Sequence, residues 1–331
     1  MIRTNLLAGQ GLGNQLWVYA ACRGIANKHK LPFSIGGAEY FKGKSFLEID
    51  LGSPSHPTTN ELNSSLVNCE VFRERLFYDP ELSYLASDYD SRVENISGNT
   101  VISGLFQSER YFYDCKPKLN EWIRLSEELK EKSEIYENTC VLNVRGGEYK
   151  RHKNLILPKS YWVHAIENIK KITGIDQFLI VTDDPAYGKA MLPNIPVLIG
   201  GIGECYAALY GAACHIVSNS SFSYFPIKSR IDSPYVIAPY LWSRPNNTLA
   251  RWASPANLYS EWVWQDTIGT IHNIVECRKI RDRTINSYLT DYVVSAPLEY
   301  PWKKSALDRI PIKIKNPIKR ALSKICPTHF G

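Results

Sequence analysis

The sequence lacks the features that mark several common classes of protein. Its eight cysteines include no C-x-x-C pair, so a zinc site of the usual spacing is not predicted. It contains no run of about 18 apolar residues of the kind that spans a membrane. Its N-terminal apolar stretch is broken by glycines and polar residues, which does not match a signal peptide. We therefore expect a cytoplasmic protein with reduced cysteines and no membrane anchor.

Support for nucleic-acid binding is also missing. The formal net charge is only +6 over 331 residues, and no lysine- and arginine-rich helix or zinc-finger spacing is present. Hydrophobic residues make up 44% and charged residues 22% of the chain, which is a globular composition. The length suffices for two domains with a substantial core. We expect no nucleic-acid partner.

A glycine-rich loop lies close to the N-terminus. The stretch "LLAGQGLGNQLWVYAAC", residues 6–22, passes from a strand-like to a helix-like pattern through the loop 9–15. A dinucleotide fingerprint needs G-x-G-x-x-G, but Asn14 or Leu16 stands at the last position in the two registers, and no Walker lysine follows. An NAD-type oxidoreductase is therefore not predicted. The amides of Asn14 and Gln15 instead suit a sugar hydroxyl or a phosphate.

Strand-like and helix-like segments alternate along the second half. The predicted strands are 138–144, 177–182, 195–200, 214–219 and 235–239, and the predicted helices are 158–173, 185–192 and 204–213. Such alternation favours a parallel sheet covered by helices on both faces. Because the first half begins in the same way, we predict an α/β protein with two Rossmann-like domains facing a cleft.

The predicted domains follow changes in composition. Residues 1–136 form the first domain, 137–275 the second, and 276–331 a basic C-terminal extension. Within the first domain, 52–66 is a polar surface excursion, and 117–137 is charged with helical spacing.

Polar clusters follow four predicted strands. They are the glycine loop, "RGGEY" from Arg145 to Tyr149, the pair Asp183 and Asp184, and "SSFSY" from Ser220 to Tyr224. Ligands of parallel sheets bind beyond the carboxyl ends of the strands, so the clusters predict one binding cleft. Arginine suits a diphosphate, the two serines suit phosphate oxygens, an aspartate suits the amide edge of a base, and Phe222 suits a base or sugar face.

Structural roles remain open for the same residues. Arg145 has the alternative of a salt bridge within the fold, and Ser220 and Ser221 that of ordinary turn residues. One of Asp183 and Asp184 has the alternative of capping the helix that starts near Pro185.

Five segments resemble motifs of the α-1,2-fucosyltransferases, glycosyltransferase family 11. They are "GLGNQLWVYAA", "GLFQSERYF" (104–112), "NVRGGEY", "FLIVTDDPAYGKAML" and "HIVSNSSFSYF". They occur in the family's order and span roughly residues 6–240. The resemblance implies a GT-B-type fold, a GDP-fucose donor in the cleft, inverting transfer, and neither an essential metal nor a cofactor.

The resemblance also implies roles for single residues. Arg145 clamps the diphosphate. The other predicted donor-binding residues are Gly11, Gly13, Asn14, Gln15, Asn143, Asp183, Asp184, Asn219, Ser220, Ser221 and Phe222. Independently of the resemblance, Glu148 is the candidate for the base that removes the acceptor proton. Asn143 stands where the family has histidine, and Gly146 where it has a second arginine. The donor is therefore GDP-fucose or another GDP-6-deoxyhexose such as GDP-colitose.

The predicted function is transfer of this sugar to a hydroxyl, O-2 of a galactoside, in polysaccharide biosynthesis. The acceptor is an oligosaccharide or a lipid-linked glycan. Two alternatives remain: a nucleotide-sugar-binding relative with little or no catalysis, and an unrelated enzyme such as an epimerase, for which Tyr149 and Lys153 have the bare spacing. The basic tail 303–325 is either a peripheral contact with the inner face of a membrane or a solvated tail.

Overall fold

The computed structural model describes residues 1–53, 69–79, 84–151, 155–240, 258–279, 281–282 and 293–295. The strands are β1 (Ile2–Asn5), β2 (Phe33–Gly36), β3 (Leu47–Ile49), β4 (Glu70–Arg73), β5 (Arg75–Asp79), β6 (Tyr84–Ser87), β7 (Thr100–Ser103), β8 (Ile123–Leu125), β9 (Thr139–Val144), β10 (Gln177–Thr182), β11 (Cys214–Val217), β12 (Tyr235–Pro239), β13 (Val263–Gln265), β14 (Ile271–His272) and β15 (Val293–Ser295). The helices are α1 (Leu12–Lys28), α2 (Leu119–Trp122), α3 (Glu127–Ser133), α4 (Lys159–Thr173), α5 (Pro185–Met191), α6 (Ile202–Gly211) and α7 (Tyr224–Lys228).

Two parallel sheets organise the described chain. The first has the order β2-β1-β7-β4, and the second has the order β10-β9-β11-β12-β13-β14, with only β14 antiparallel. We call the first sheet with α1 and the segments up to α3 the first unit, and the second sheet with α4 to α7 the second unit. The predicted α/β arrangement of two Rossmann-like units is confirmed by these sheets.

Burial on both faces explains the apolar strands of the second unit. Along β9, Cys140, Leu142 and Val144 pack with residues of α4, whereas Val141 packs with residues of α6. Side chains alternate between the two faces of a strand, so a strand covered on both sides is apolar throughout. This pattern is the one that made β9, β10 and β11 predictable.

The predicted strand 195–200 is wrong. Only Val197 forms a bridge to β10, where Ile180 donates its N–H to the Pro196 carbonyl at 2.9 Å and accepts one from Leu198 at 2.8 Å. Proline has no N–H to donate, so it cannot continue a ladder of hydrogen bonds.

The charged segment 117–137 is not one helix. Helices α2 and α3 are separated by β8, which pairs with β3. Ile123 is 1% exposed and Leu125 is also buried, so the apolar alternation favours a short strand. Most of the excursion 52–66, and all of the tail 303–325, lie outside the described residues.

The two units share one aromatic core. Trp17 of α1 lies 4.3 Å from Tyr224 and 5.2 Å from Phe225 of α7, measured between ring centroids. Tyr224 in turn lies 4.9 Å from Tyr259, and Trp17 and Tyr19 are fully buried. Large apolar side chains buried at such a contact stabilise one relative position of the units.

Candidate active site

A cleft of about 440 Å³ opens where the two units meet, within the range of about 300–1,000 Å³ typical of ligand sites. It is lined by Gly9, Gly11, Leu12, Gly13, Asn14, Lys42, Gln107, Arg145, Glu148, Tyr149, Ile202, Asn219, Ser220, Ser221 and Phe222. Three of the four predicted strand-end clusters therefore meet in it. The pair Asp183 and Asp184 does not line it.

The start of α1 touches the second unit directly. A Cβ atom on Gly13 would lie 2.5 Å from the backbone carbon and oxygen of Ser221, which is closer than atoms pack. Only glycine permits this approach. A Cβ on Gly11 would meet nothing within 4 Å. Of the two predicted loop glycines, Gly13 is thus the one that the contact between the units requires.

Asn14 joins three segments at the floor of the cleft. Its Oδ1 atom accepts hydrogen bonds from the Ser221 hydroxyl at 2.7 Å and from the Gln107 amide at 2.9 Å. Ser221 belongs to the second unit and Gln107 to the first. The hydrogen bond therefore ties the units together beside the Gly13 contact.

A buried carboxyl group shapes the loop that carries Gln107. The Glu74 side chain accepts hydrogen bonds from the N–H groups of Leu105 at 2.6 Å and Phe106 at 2.8 Å, and from the Tyr111 hydroxyl at 2.8 Å. Burial raises the pKa of Glu74 to about 8. Phe106 has a φ of +49°, a strained value for a residue other than glycine, which these bonds hold in place.

Gln15 is not part of the cleft, contrary to the prediction. It is fully buried, its Nε2 donates to the Tyr40 carbonyl at 2.7 Å, and its Oε1 accepts the Lys42 N–H at 3.0 Å. Because a helix turns by about 100° per residue, Gln15 faces the loop after β2 while Asn14 faces the cleft. The amide fixes the backbone of Lys42 at the cleft wall.

Arg145 lies at the end of β9, as predicted. Its Nη1 atom is 2.8 Å from Asp183 Oδ2, and its Nη2 atom is 3.5 Å from Glu148 Oε1. The guanidinium carbon lies 5.0 Å from the centre of the Tyr149 ring. Its Nε donor is buried without a hydrogen-bond partner in the described structure. The salt-bridge alternative therefore holds for one side of the guanidinium and leaves Nε unsatisfied.

Asp183 and Asp184 have structural partners instead of the predicted place at the base or ribose. Besides its ion pair with Arg145, Asp183 accepts the Gly146 N–H at 3.0 Å. Asp184 accepts the Tyr187 N–H at 3.0 Å and caps α5, which confirms the capping alternative. Its ion pair with Lys150 lowers the pKa of Asp184. Both carboxylates are thus occupied in orienting the strand-end loops.

Two predicted asparagines lie at different depths. Asn143 is 2% exposed, accepts a hydrogen bond from the Ser218 hydroxyl at 3.3 Å, and does not line the cleft. Asn219 does line it. The Asn219 Nδ2 donates to the Leu155 carbonyl at 3.3 Å, and its buried Oδ1 has no partner among the described residues.

The serine loop forms the second-unit wall. The Ser220 Oγ accepts the Phe222 N–H at 3.3 Å and starts the turn Ser221–Ser223 that leads into α7. The turn-residue alternative is therefore confirmed for Ser220, which lines the cleft at the same time. Phe222 is half-buried, with its ring 6.3 Å from that of Tyr206.

Gly146 has no room for the side chain that the motif carries there. A Cβ atom would lie 2.7 Å from Tyr187 Cδ1 and 3.0 Å from Asp184 Cβ. The Tyr187 ring thus occupies the space beside the backbone. A second arginine at this position would require the ring to move.

Sequence reasoning missed three residues of the cleft: Lys42, Gln107 and Ile202. Gln107 lies in the quoted segment 104–112, so that motif was a usable signal. Lys42 has no local signal, since its place depends on Gln15. For the epimerase alternative, Lys153 lies outside the described residues, and burial raises the pKa of Tyr149, which makes this phenol a poorer acid.

The described part of the chain holds neither a metal-binding cluster nor a membrane-spanning helix. Within it, no three His, Cys, Asp or Glu side chains are grouped so that they could hold a metal ion. No helix there has the length and apolarity needed to cross a membrane.

Comparison with known proteins supports the motif resemblance. No family model matches the chain. The α-1,2-colitosyltransferase of Escherichia coli is 22% identical in an alignment of 263 positions that covers 71% of this chain and 90% of that protein. This relative is consistent with the predicted resemblance to the fucosyltransferase family.

Solved structures show a partial likeness. NodZ α-1,6-fucosyltransferase soaked with GDP-fucose aligns with a TM-score of 0.42 and 14% identity, over 73% of this chain and 96% of that one. NodZ from Bradyrhizobium gives 0.40 and 13%, over 71% and 94%. POFUT1 in complex with GDP-fucose gives 0.40 and 11%, over 72% and 97%. At these scores the assignment of the fold rests on the sheets described above.

Proposed function

We propose that this chain is a glycosyltransferase that moves a 6-deoxyhexose from a GDP-sugar to a hydroxyl group of a glycan. The observation that carries the proposal is Arg145, which lines a cleft that both units build and is paired with Asp183, a residue outside the cleft lining. A guanidinium at a cleft wall offers N–H donors to an anionic ligand. The similarity to a colitosyltransferase supports the same chemistry.

The surroundings of Arg145 suit a diphosphate. Asp183 holds one edge of the planar guanidinium, so the group is oriented before a ligand arrives. Ser220 and Ser221 lie in the same cleft at the start of a helical turn, where hydroxyl and N–H groups favour anions. Arginine recognises phosphate oxygens through paired hydrogen bonds.

In the proposed reaction, the acceptor oxygen attacks the anomeric carbon as the bond to the diphosphate oxygen breaks. The acceptor proton passes to a carboxylate, and the bonding electrons leave with GDP. Arg145 stabilises the charge that develops on the diphosphate. Among the described residues that line the cleft, Glu148 is the carboxylate, and we propose it as the base. A single displacement of this kind inverts the anomeric configuration.

The finer assignments belong to the same proposal. The sugar is fucose or a related 6-deoxyhexose such as colitose, and the acceptor position is O-2 of a galactoside in an oligosaccharide or lipid-linked glycan. Arg145 and the serine loop supply the stabilisation, without a metal or cofactor. We further propose that the protein is cytoplasmic and meets the inner face of a membrane through its basic tail 303–325.

Calorimetry with GDP, UDP and CMP tests the donor, followed by transfer assays with GDP-fucose and GDP-colitose. We expect clear preference for GDP and transfer from at least one of the two sugars. UDP binding as tight as GDP binding would overturn the proposal. Tight GDP-sugar binding without transfer to any galactoside would favour the non-catalytic alternative instead.

A further inference from the structure

Arg145 together with its two carboxylate partners provides no net positive charge to the cleft. That one cation contacts the carboxylates of Asp183 and Glu148 at 2.8 and 3.5 Å. A nucleoside diphosphate carries more than one negative charge. Like charges that lie close together are unfavourable, so a diphosphate beside these carboxylates requires a further cation.

Position 146 cannot provide this cation. Gly146 stands where the resembled motif has its second arginine, and the Tyr187 ring lies where a side chain would start. The loss of the arginine is thus built into the packing of the second unit. A replacement has to come from elsewhere in the cleft.

Lys42 lies on the wall that the first unit contributes. Its backbone is fixed, because its N–H donates to the buried Gln15 amide at 3.0 Å and the same amide donates to Tyr40 at 2.7 Å. Its side chain is exposed, and its ammonium group forms no ion pair or hydrogen bond with the described residues. Apart from Arg145, it is the cationic residue among the described cleft lining.

We propose that Lys42 binds the diphosphate of the donor from the first unit, and replaces the charge that is missing at position 146. This inference rests on the function proposed above. The donor would then be held by cations on both walls of the cleft. Binding of the diphosphate, rather than of the base, would depend on the first unit.

Calorimetry with GDP and with guanosine tests the proposal on wild type, Lys42→Ala, Lys42→Arg and Lys44→Ala. Lys44 is exposed in the same loop but does not line the cleft, so it is the matched control. A hydrogen bond to a charged group contributes enough to predict about a tenfold loss of GDP affinity for Lys42→Ala. Lys42→Arg keeps most of the affinity, Lys44→Ala keeps all of it, and guanosine binding stays unchanged.

The outcomes separate the two proposals. Wild type that fails to bind GDP overturns the proposed function, and the role of Lys42 with it. Wild type and Lys42→Ala binding GDP equally tightly overturns only the role of Lys42. A raised KM for the acceptor with unchanged GDP affinity also overturns it, because Lys42 would then act on the acceptor. An equal loss in Lys44→Ala would show a general charge effect and would overturn it too.

Discussion

Two polar regions join the units, and they differ in how completely their groups are paired. One is the cleft. The other, here called the ionic cluster, consists of Glu109, Lys116, Tyr224, Lys228 and Glu261. In the cluster, Lys116 lies 2.9 Å from Glu109 and 3.1 Å from Glu261, Lys228 lies 2.9 Å from Glu261, and the Tyr224 hydroxyl donates to Glu109 at 2.7 Å.

Charges in the ionic cluster balance, because two lysines face two glutamates. Burial would raise the pKa of Glu261, but its hydrogen bonds and ion pairs with Lys228 and Lys116 lower it to about 2. In the cleft, by contrast, the Arg145 Nε and the Asn219 Oδ1 are buried and unpaired within the described residues. Buried polar groups in folded proteins are normally paired. In the cluster the charged groups satisfy one another across the units, whereas two buried polar atoms of cleft-lining residues have no partner among the described residues.

Arg145→Ala is expected to have the largest effect, and it tests whether the cleft binds the donor. Removing one donor to the charge of the transition state lowers the rate by about 10²–10³-fold. Arg145→Lys fails nearly as badly, because it retains the charge but loses the planar fork. Transfer rate, GDP affinity and melting temperature are measured together.

Arg124→Ala is the control for this series, since Arg124 forms an exposed ion pair with Glu48 at 2.8 Å. It should change neither rate nor affinity. If folded Arg145→Ala keeps the GDP affinity and turnover of wild type, the salt bridge to Asp183 is the whole role of the arginine.

Gly13→Ala, at the contact between the two units, is expected to have a smaller effect on GDP binding than Arg145→Ala. The added methyl group would collide with the Ser221 backbone, and overpacking of this kind costs about 1–3 kcal/mol. We expect a lower free energy of unfolding and weaker GDP binding, measured by denaturation and calorimetry. Gly11→Ala adds the same methyl group to open space and should change neither. Equal behaviour of the two variants would contradict the close contact.

Acid tests the ionic cluster when wild type is compared with Glu261→Gln, because the other carboxylates titrate in both proteins. The pKa of Glu261 is lowered in the folded state from 4.5 to about 2, so its ion pairs stabilise the fold above pH 4.5 and lose this effect as the pH falls toward 2. We expect the melting temperature of wild type to fall more steeply over this range than that of Glu261→Gln. At neutral pH the folded variant should bind GDP like wild type. Melting temperatures that fall equally in the two proteins would show that Glu261 does not contribute to the pH dependence of stability.

No effect at all is expected from EDTA. If Arg145, Lys42 and the serine loop supply the stabilisation in the cleft, transfer should proceed at the same rate with the chelator present. Loss of activity with EDTA and recovery on addition of Mn²⁺ would show that the cleft depends on a bound ion.

The sheets could be predicted from the sequence because burial on both faces leaves a strong local pattern. Strands β9, β10 and β11 are predominantly apolar, with few polar residues such as Asn143 and His215. The segment 195–200 has similar composition, but Pro196 and its single bridge leave it outside the sheet. Hydrophobicity indicates burial, whereas strand pairing also depends on donors that proline lacks.

Individual site residues were harder to predict, because the chemistry of a side chain does not determine whether it faces the cleft. Asn14 and Gln15 carry the same amide group one position apart, and only Asn14 reaches the cleft. Asp183 and Asp184 follow a strand end as a binding pair would, yet their partners are Arg145 and the start of α5. Lys42 lies in a loop whose position depends on the buried Gln15 of α1. Such contacts are long-range, and the local sequence does not encode them.

The aromatic core that runs from Trp17 to Tyr224 and Phe225 sets a limit on modular evolution and engineering. A foreign second unit could not simply be grafted onto the first unit, because the graft would have to bring rings that fit around Trp17. A chimera that ignored this would expose large apolar surfaces and aggregate. The two units are therefore expected to be exchangeable only together with the rings that they share.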